Sequence, residues 1–442
     1  MNSGLVQSDD SSVFPRMLDL ACPNVERGEG VRLHTTDGRV LLDGCSGGAM
    51  TACLGHGVPE LVDAAAEQSQ RITYVYNHHF TNDRQEEYAE RLLTVAAPEM
   101  ARVRFASGGS EANEAAVRLA RSYHVERGHE QRRLIVSASE AYHGATFGAL
   151  ALTGRRSLQE PYREYLPRQS HVAAGDLSEL DRLLDERGAD VAAFFCEPVS
   201  AASRAAWSPP AEFWEGLAER RERHGFLVCF DEVVTGMGRT GDWFAYQGMP
   251  IEPDIVTAGK GIGAGYFPLA AALCREHVYE ALANGSREFE LGHTWDGAPL
   301  SCAVGLAALD YIQSHGLVER VGERGPPLRD ELEAALGELE IVRVVRGRGF
   351  LLGVELVDPR DGESPLPAEV NAASMVDGSA LEHGLLVTSG YASADGYAGD
   401  QVVLAPAYTA TDAELAEMVE LLAVTIAEVE QQVKQALAGV AA

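Results

Sequence analysis

Lysine 260 is the residue best placed for covalent chemistry, in the stretch Asp254-Ile-Val-Thr-Ala-Gly-Lys260-Gly-Ile-Gly-Ala-Gly-Tyr266. The apolar, β-branched run Ile255, Val256, Thr257 reads as a buried strand that ends in a lysine flanked by glycines. Desolvation there lowers the pKa of an amine toward the neutral form that attacks a carbonyl. The glycines remove side-chain bulk and let backbone approach a flat ligand. A surface lysine in a flexible loop fits the same residues, so the rest of the chain must decide.

Four other stretches carry candidate chemistry. Phe226-Leu-Val-Cys-Phe-Asp231-Glu232-Val233-Val234 is an apolar strand ending in two carboxylates, and a buried carboxylate needs a charged or proton-donating partner. A protonated pyridine nitrogen is one such partner, and keeping it protonated makes the ring an electron sink. An ion pair with Arg239 is the structural alternative. Phe105-Ala-Ser-Gly-Gly-Ser110-Glu-Ala-Asn-Glu114 runs from a strand into a helix with Ser110 as its expected N-cap, presenting N–H groups and a positive helix end to a phosphate. A merely capped helix after a tight turn fits the same residues. Ala141-Tyr142-His143-Gly144 follows the next strand, with Tyr142 able to stack on a planar ligand and His143 read as a hydrogen-bonded structural residue. His293-Thr294-Trp-Asp-Gly297-Ala-Pro299 precedes a helix that Pro299 can start, and offers the Thr294 hydroxyl.

These residues need elements to hold them. From about residue 100 to 275 the pattern alternates strands (Val103-Phe105, Leu134-Ser137, Val191-Cys196, Phe226-Phe230, Ile255-Thr257, Leu269-Cys274) with helices such as Ser110 to Tyr123 and Glu212 to His224. That alternation predicts an α/β fold, a mostly parallel sheet covered by helices, with ligands at the carboxyl ends of the strands. Val31 to Asp43 reads as a hairpin around Asp37-Gly38. Beyond about 300 the pattern predicts a smaller α+β unit closed by a helix from Thr411 to about Leu437. The expected division is 1–50 as an N-terminal segment joining the small domain, 51–305 as the large domain and 306–442 as the small domain. The first dozen residues read as a loose tail, and 388–400 as a mobile loop.

The 442 residues are 46% apolar and carry a formal net charge of -30, which argues for a large core and against nucleic-acid or anionic-membrane partners. Seven scattered cysteines fit buried thiols in a reducing compartment, with no spacing suited to a metal or a disulfide framework. With no basic-then-apolar leader and no run long enough for a membrane span, the expected location is the cytoplasm.

Taken in order, Ser107 to Glu114, Tyr142 to Gly144, Glu197-Pro-Val199, Asp231 to Gly241, Lys260 and Thr294 to Leu300 resemble the class III aminotransferases, pyridoxal-phosphate enzymes of fold type I. Leu54 to Pro59 and Arg346 to Glu355 extend the resemblance to nearly the whole chain. It implies pyridoxal 5'-phosphate as cofactor, with Lys260 as the Schiff-base lysine that also moves the substrate proton. It also implies Asp231 at the ring nitrogen, Tyr142 and Val233 on the ring faces, and Gly109 and Ser110 at the phosphate. Thr294 would come from the neighbouring subunit of a homodimer, so the site would be shared across the interface.

Departures bear on the substrate. Val234 stands where many members carry a Gln near the phenolic oxygen of the cofactor. Val403 and Ala202 stand where ornithine- and γ-aminobutyrate-type members pair an Arg with a Glu, and losing both together avoids an unpaired charge. The resemblance then leans to the ω-amine or ω-amino-acid branch, with Arg204 as a candidate for binding a carboxylate. The expected reaction is ping-pong transfer of an amino group from an amine or ω-amino acid to a 2-oxo acid, aldehyde or ketone. An epimerase or aminomutase of the same fold would use the same lysine. Gly236-Met-Gly238-Arg-Thr-Gly241 also fits the dinucleotide pattern of a nicotinamide enzyme. Against that reading stand Asp231 and Glu232 where a pyrophosphate would bind, and the absence of an amphipathic helix at the third glycine. A cofactor-free scaffold would require every motif to be coincidental.

Overall fold

Apolar runs between residues 100 and 275 pair into a seven-stranded sheet, seen in a computed structural model that describes residues 5–6, 11–201, 203–390 and 399–440. The strand order is Met100–Ala106, Ala270–Arg275, Ile255–Ala258, Leu227–Glu232, Val191–Cys196, Leu134–Ala138 and Ser170–Val172. All pairings are parallel except those of Ala270–Arg275, which runs against both neighbours. The six expected strands are therefore present. The edge strand Ser170–Val172 is additional, and three residues are too few to show a period.

Side chains alternate across this sheet. Leu227, Cys229, Phe195, Ile255 and Ala272 pack on one face against Ala115, Ala116, Leu119 and Ala120 of the helix Gly109–Glu126. Val228, Phe230, Phe194, Val256 and Leu273 join the main core on the other face. The central strands are buried on both faces, which explains their nearly unbroken apolar sequence.

The C-terminal part forms a four-stranded antiparallel sheet in the order Val342–Arg348, Leu351–Leu356, Gln401–Leu404, Thr388–Gly390. The hairpin around Asp37-Gly38 is present, with Arg32–Thr35 against Val40–Asp43. Val40–Asp43 then pairs in parallel with Leu385–Leu386, so the two ends of the chain share a sheet. The helix Ala372–Glu382 lies in a section whose pattern reads only as strands, and the closing helix is Asp412–Val440. Within 388–400, Thr388–Gly390 is a strand, and 391–398 fall outside the described residues. Cys22 is exposed, while the other six thiols are buried as expected. No helix of the described residues is long and apolar enough to cross a membrane.

Candidate active site

The alternation that builds the sheet also sorts its carboxylates. Asp231 continues the Leu227–Cys229 face and points toward the helix Gly109–Glu126, whereas Glu232 continues the Val228–Phe230 face into the main core. Asp231 sits opposite Thr257 in register, and Thr257 lies three residues before Lys260. The strand ends thus bring the carboxylate and the lysine to the same edge of the sheet, beside the switch point between Leu134–Ala138 and Val191–Cys196.

Asp231 is held by a buried network. Its Oδ2 accepts from Asn113 Nδ2 at 2.8 Å and lies 2.8 Å from His143 Nδ1, while Oδ1 accepts from the Val233 N–H at 3.0 Å. A ring nitrogen that close to a carboxylate is the donor, so His143 Nδ1 carries a proton. Asn113 also donates to the His143 carbonyl at 2.7 Å and accepts from Thr257 Oγ1 at 2.6 Å. His143 is thereby the structural residue expected, fixing the orientation of Asp231. The alternative ion pair with Arg239 is absent: that guanidinium bonds Ser46, Phe350 and Pro406.

Asn113 has no role in the motif reading, although it lies on the face of its helix that carries Ala112 and Ala116. It is 1% exposed. An asparagine at an apolar helical position must find partners, and that is the signal for it.

Lys260 follows Ile255–Ala258 after Gly259, in a short 3₁₀ turn with its own backbone left-handed at φ 45°. Burial holds its amine below the usual lysine range, against the pull of Asp231, Cys45 and Glu197. Glu197 follows Val191–Cys196, and among the described residues Tyr142 N–H (3.3 Å) and Ser200 Oγ (3.2 Å) donate to its Oε2. Burial pushes its carboxyl up to about 7. Glu232 by contrast accepts from Ala245 N–H, Tyr246 N–H and Thr235 Oγ1 at 2.7–2.9 Å, which makes it a structural anchor rather than part of the site.

Val233 is wedged between two glycines. A Cβ at Gly109 would lie 3.0 Å from a Val233 methyl, and one at Gly259 would lie 2.9 Å away. Val233 therefore packs close against backbone at both positions, beside Asp231. The helix beside it begins at Gly109 with Gly108, not Ser110, as N-cap. Gly108 is extended (φ -155°, ψ 159°) and its carbonyl already accepts from Ala112, so Ser110 falls inside the first turn. Its Oγ instead accepts from Ala145 N–H at 3.1 Å. No side chain caps this end of the helix, and the opening fits an anion. Glu111 turns back to bond Ser107 N–H and Oγ at 2.9 and 2.6 Å.

Three further predicted residues are placed differently. Tyr142 is 43% exposed at the mouth of the site. Thr294 is exposed in a turn anchored by Asp296, which accepts from Arg104 at 2.7 Å and from His293 N–H at 2.9 Å. Arg204 pairs with Glu140 at 3.3 Å and stacks 3.9 Å from the Trp207 ring centroid, while its Nη1 is buried without a partner. Val403 is buried with Cys45, Met50, Val199, Ala201, Ala206 and Ala405 in an apolar wall on which Val234 packs. Ala202 lies outside the described residues. Gly236–Gly241 opens no helix, and a dinucleotide has no helix end to meet there.

Fold and site define a fold type I transferase, and the chain belongs to the class III aminotransferases, whose family model matches residues 15–426. Members of this family depend on pyridoxal 5'-phosphate. The chain is 32% identical to the aminotransferase YodT of Bacillus subtilis (strain 168), over 98% of this chain and 100% of that protein. A transaminase from the marine bacterium Virgibacillus superposes with a TM-score of 0.90 at 28% identity, covering 96% of this chain and 98% of the other. An (S)-enantioselective omega-transaminase from Thermomicrobium roseum superposes at 0.86 with 31% identity, covering 95% and 96%.

Proposed function

We propose that this chain binds pyridoxal 5'-phosphate beside Val233, Asp231 and Lys260 and transfers an amino group, by ping-pong chemistry, from an amine or ω-amino acid to a 2-oxo acid, aldehyde or ketone. One observation carries the reading: Asp231, oriented by Asn113 and His143, stands at the same sheet edge as a desolvated lysine. The cofactor, when bound, supplies an electron-poor ring that takes up the electron pair left when a substrate carbon loses its proton. Asp231 would keep a proton on the ring nitrogen. Val233 and Tyr142 would hold the ring, and Gly109 and Ser110 would offer N–H groups to the phosphate. Lys260 would anchor the cofactor, and its Nζ would carry the proton to and from the substrate carbon.

The apolar wall around Val403 supports a donor without an α-carboxylate, since a carboxylate seated there would lack a partner. We assign carboxylate recognition, for ω-amino acids and 2-oxo acids, to the unpartnered Nη1 of Arg204. We further infer a homodimer in which Thr294 of the partner subunit joins the phosphate site. Exposed aromatic residues beside that turn support this: Tyr74 and Trp295, edge to face at 5.4 Å, together with Tyr76 and Phe80. A donor panel tests the substrate reading. Terminal amines and ω-amino acids should outpace α-amino acids, and a preference for donors that react through an α-amino group beside a carboxylate would contradict it.

A further inference from the structure

Arg239 heads the fully buried side chains of the protein by volume, yet no carboxylate pairs with it among the described residues. Its Nη1 donates to the carbonyls of Phe350 (3.1 Å) and Pro406 (2.5 Å), and Nη2 to Ser46 Oγ (3.0 Å). The guanidinium lies 4.7 Å from the Tyr408 ring centroid, and Nε has no partner. A buried cation met only by neutral oxygens is costly, and a fold that keeps one gains something from where it sits.

It sits at the junction of three backbone segments that close the site. Ser46 follows Cys45 of the apolar wall and itself donates to the Ala405 carbonyl at 2.7 Å. The Arg239 carbonyl accepts from Phe350 N–H at 3.0 Å, so the loop is stapled in both directions. The same loop bears on the lysine turn: a Cβ at Gly261 would lie 3.1 Å from Met237 Cβ and 3.6 Å from Cys53 Sγ. Cys53 in turn accepts from Tyr408 N–H at 2.7 Å, which completes a packed path from Arg239 through Tyr408 and Cys53 to Gly261. Lys260, Met237 and Ala264 all hold left-handed backbone at φ 45°, 60° and 50°. Such non-glycine conformations persist only where the surroundings over-determine them.

We propose that Arg239 is a positioning residue for Lys260, clamping the 236–241 loop onto the turn that aims the lysine into the site. The proposal rests on the reading of Lys260 as the reactive amine. The charged and titratable groups acting on that amine are Asp231 from its strand, Glu197 after the neighbouring strand, Cys45 from the N-terminal segment and Arg239 from the loop. Anions at the first three raise the lysine pKa, while burial and the Arg239 charge lower it. Arg239 thus acts on Lys260 by position and by charge together.

Reductive methylation with formaldehyde and borohydride, read by peptide mass, tests this in the full-length protein without cofactor. The chain has two lysines, so Lys434 serves as an internal reference. In Arg239→Met the rate at Lys260 should fall about tenfold at pH 7 relative to Lys434, with its pH midpoint raised by about one unit. Ser46→Ala, which removes one clamp contact and keeps the charge, should slow Lys260 about twofold with the midpoint unchanged, and it decides the matter where Arg239→Met fails to fold. Folded variants with the parent rate and midpoint overturn the proposal. A parent protein whose Lys260 is no more reactive than Lys434 at pH 7 would instead remove the reading of Lys260 as the reactive amine.

Discussion

Asp231 and Val403 are both buried strand residues bordering one site, and they are surrounded in opposite ways. Asp231 meets donors from Asn113, His143 and its own loop, while Val403 meets only the apolar wall. A buried charge is tolerable only when fully partnered, and a buried methyl only when fully packed. The floor around Asp231 therefore admits few substitutions without losing the reaction. On the proposed reading, trading one apolar shape of the wall for another should cost packing energy and alter substrate size and polarity while sparing the reaction itself.

Breaking the floor should cost the most. Asp231→Ala should lower kcat about a thousandfold, roughly 4 kcal/mol of transition-state stabilisation, because the charge proposed to face the ring nitrogen is gone. Steady-state rates with a saturating donor check this. Asn113→Ala leaves Asp231 in place but removes one donor and unseats Thr257 Oγ1. It should lower thermal stability by about 1–3 kcal/mol and kcat about tenfold, measured by calorimetry and the same assay. Val403→Ala probes the wall. It should cost about 2 kcal/mol of stability, leave the absorbance of the bound cofactor unchanged, and shift donor preference toward bulkier amines. A change in that absorbance would erase the contrast between floor and wall.

A further contrast, in stability alone, concerns pH. Burial raises Glu197 from 4.5 to about 7, so its proton-linked contribution to stability is complete below about pH 4.5 and lost as pH rises through about 7. Glu197→Gln keeps an oxygen for Tyr142 N–H and Ser200 Oγ without that loss. The stability gap in favour of the variant should widen between pH 4.5 and 8, by no more than about 3 kcal/mol, in melts taken across that range.

Much of this arrangement is legible in sequence because it rests on strand periodicity. The apolar runs locate the sheet, and their two-residue alternation carries Asp231 and Thr257 to one face. The spacing of the glycines around Lys260 marks the turn. The partners of Asp231 are less legible, since Asn113 and His143 meet it only after 118 and 88 residues of intervening chain. Ser110 resembles an N-cap by composition, but the extended Gly108 takes that place. The pairing of Arg204 with Glu140 is likewise a contact of separate loops. One sequence signal is easily passed over by motif reading: arginine supplies all but two of the 36 basic side chains. Of the two lysines, Lys434 is bound to Glu340 and Glu430 on the surface, and Lys260 alone is desolvated. A chain that otherwise uses arginine keeps lysine where an amine must lose its proton.

That scarcity makes the central claim directly measurable. The protein is incubated with pyridoxal 5'-phosphate, reduced with borohydride and mapped by peptide mass. The account predicts a covalent pyridoxyl adduct on the Lys260 peptide, with Lys434 unmodified and no adduct on the site peptide of Lys260→Ala. An adduct on Lys434 or the amino terminus alone would contradict it.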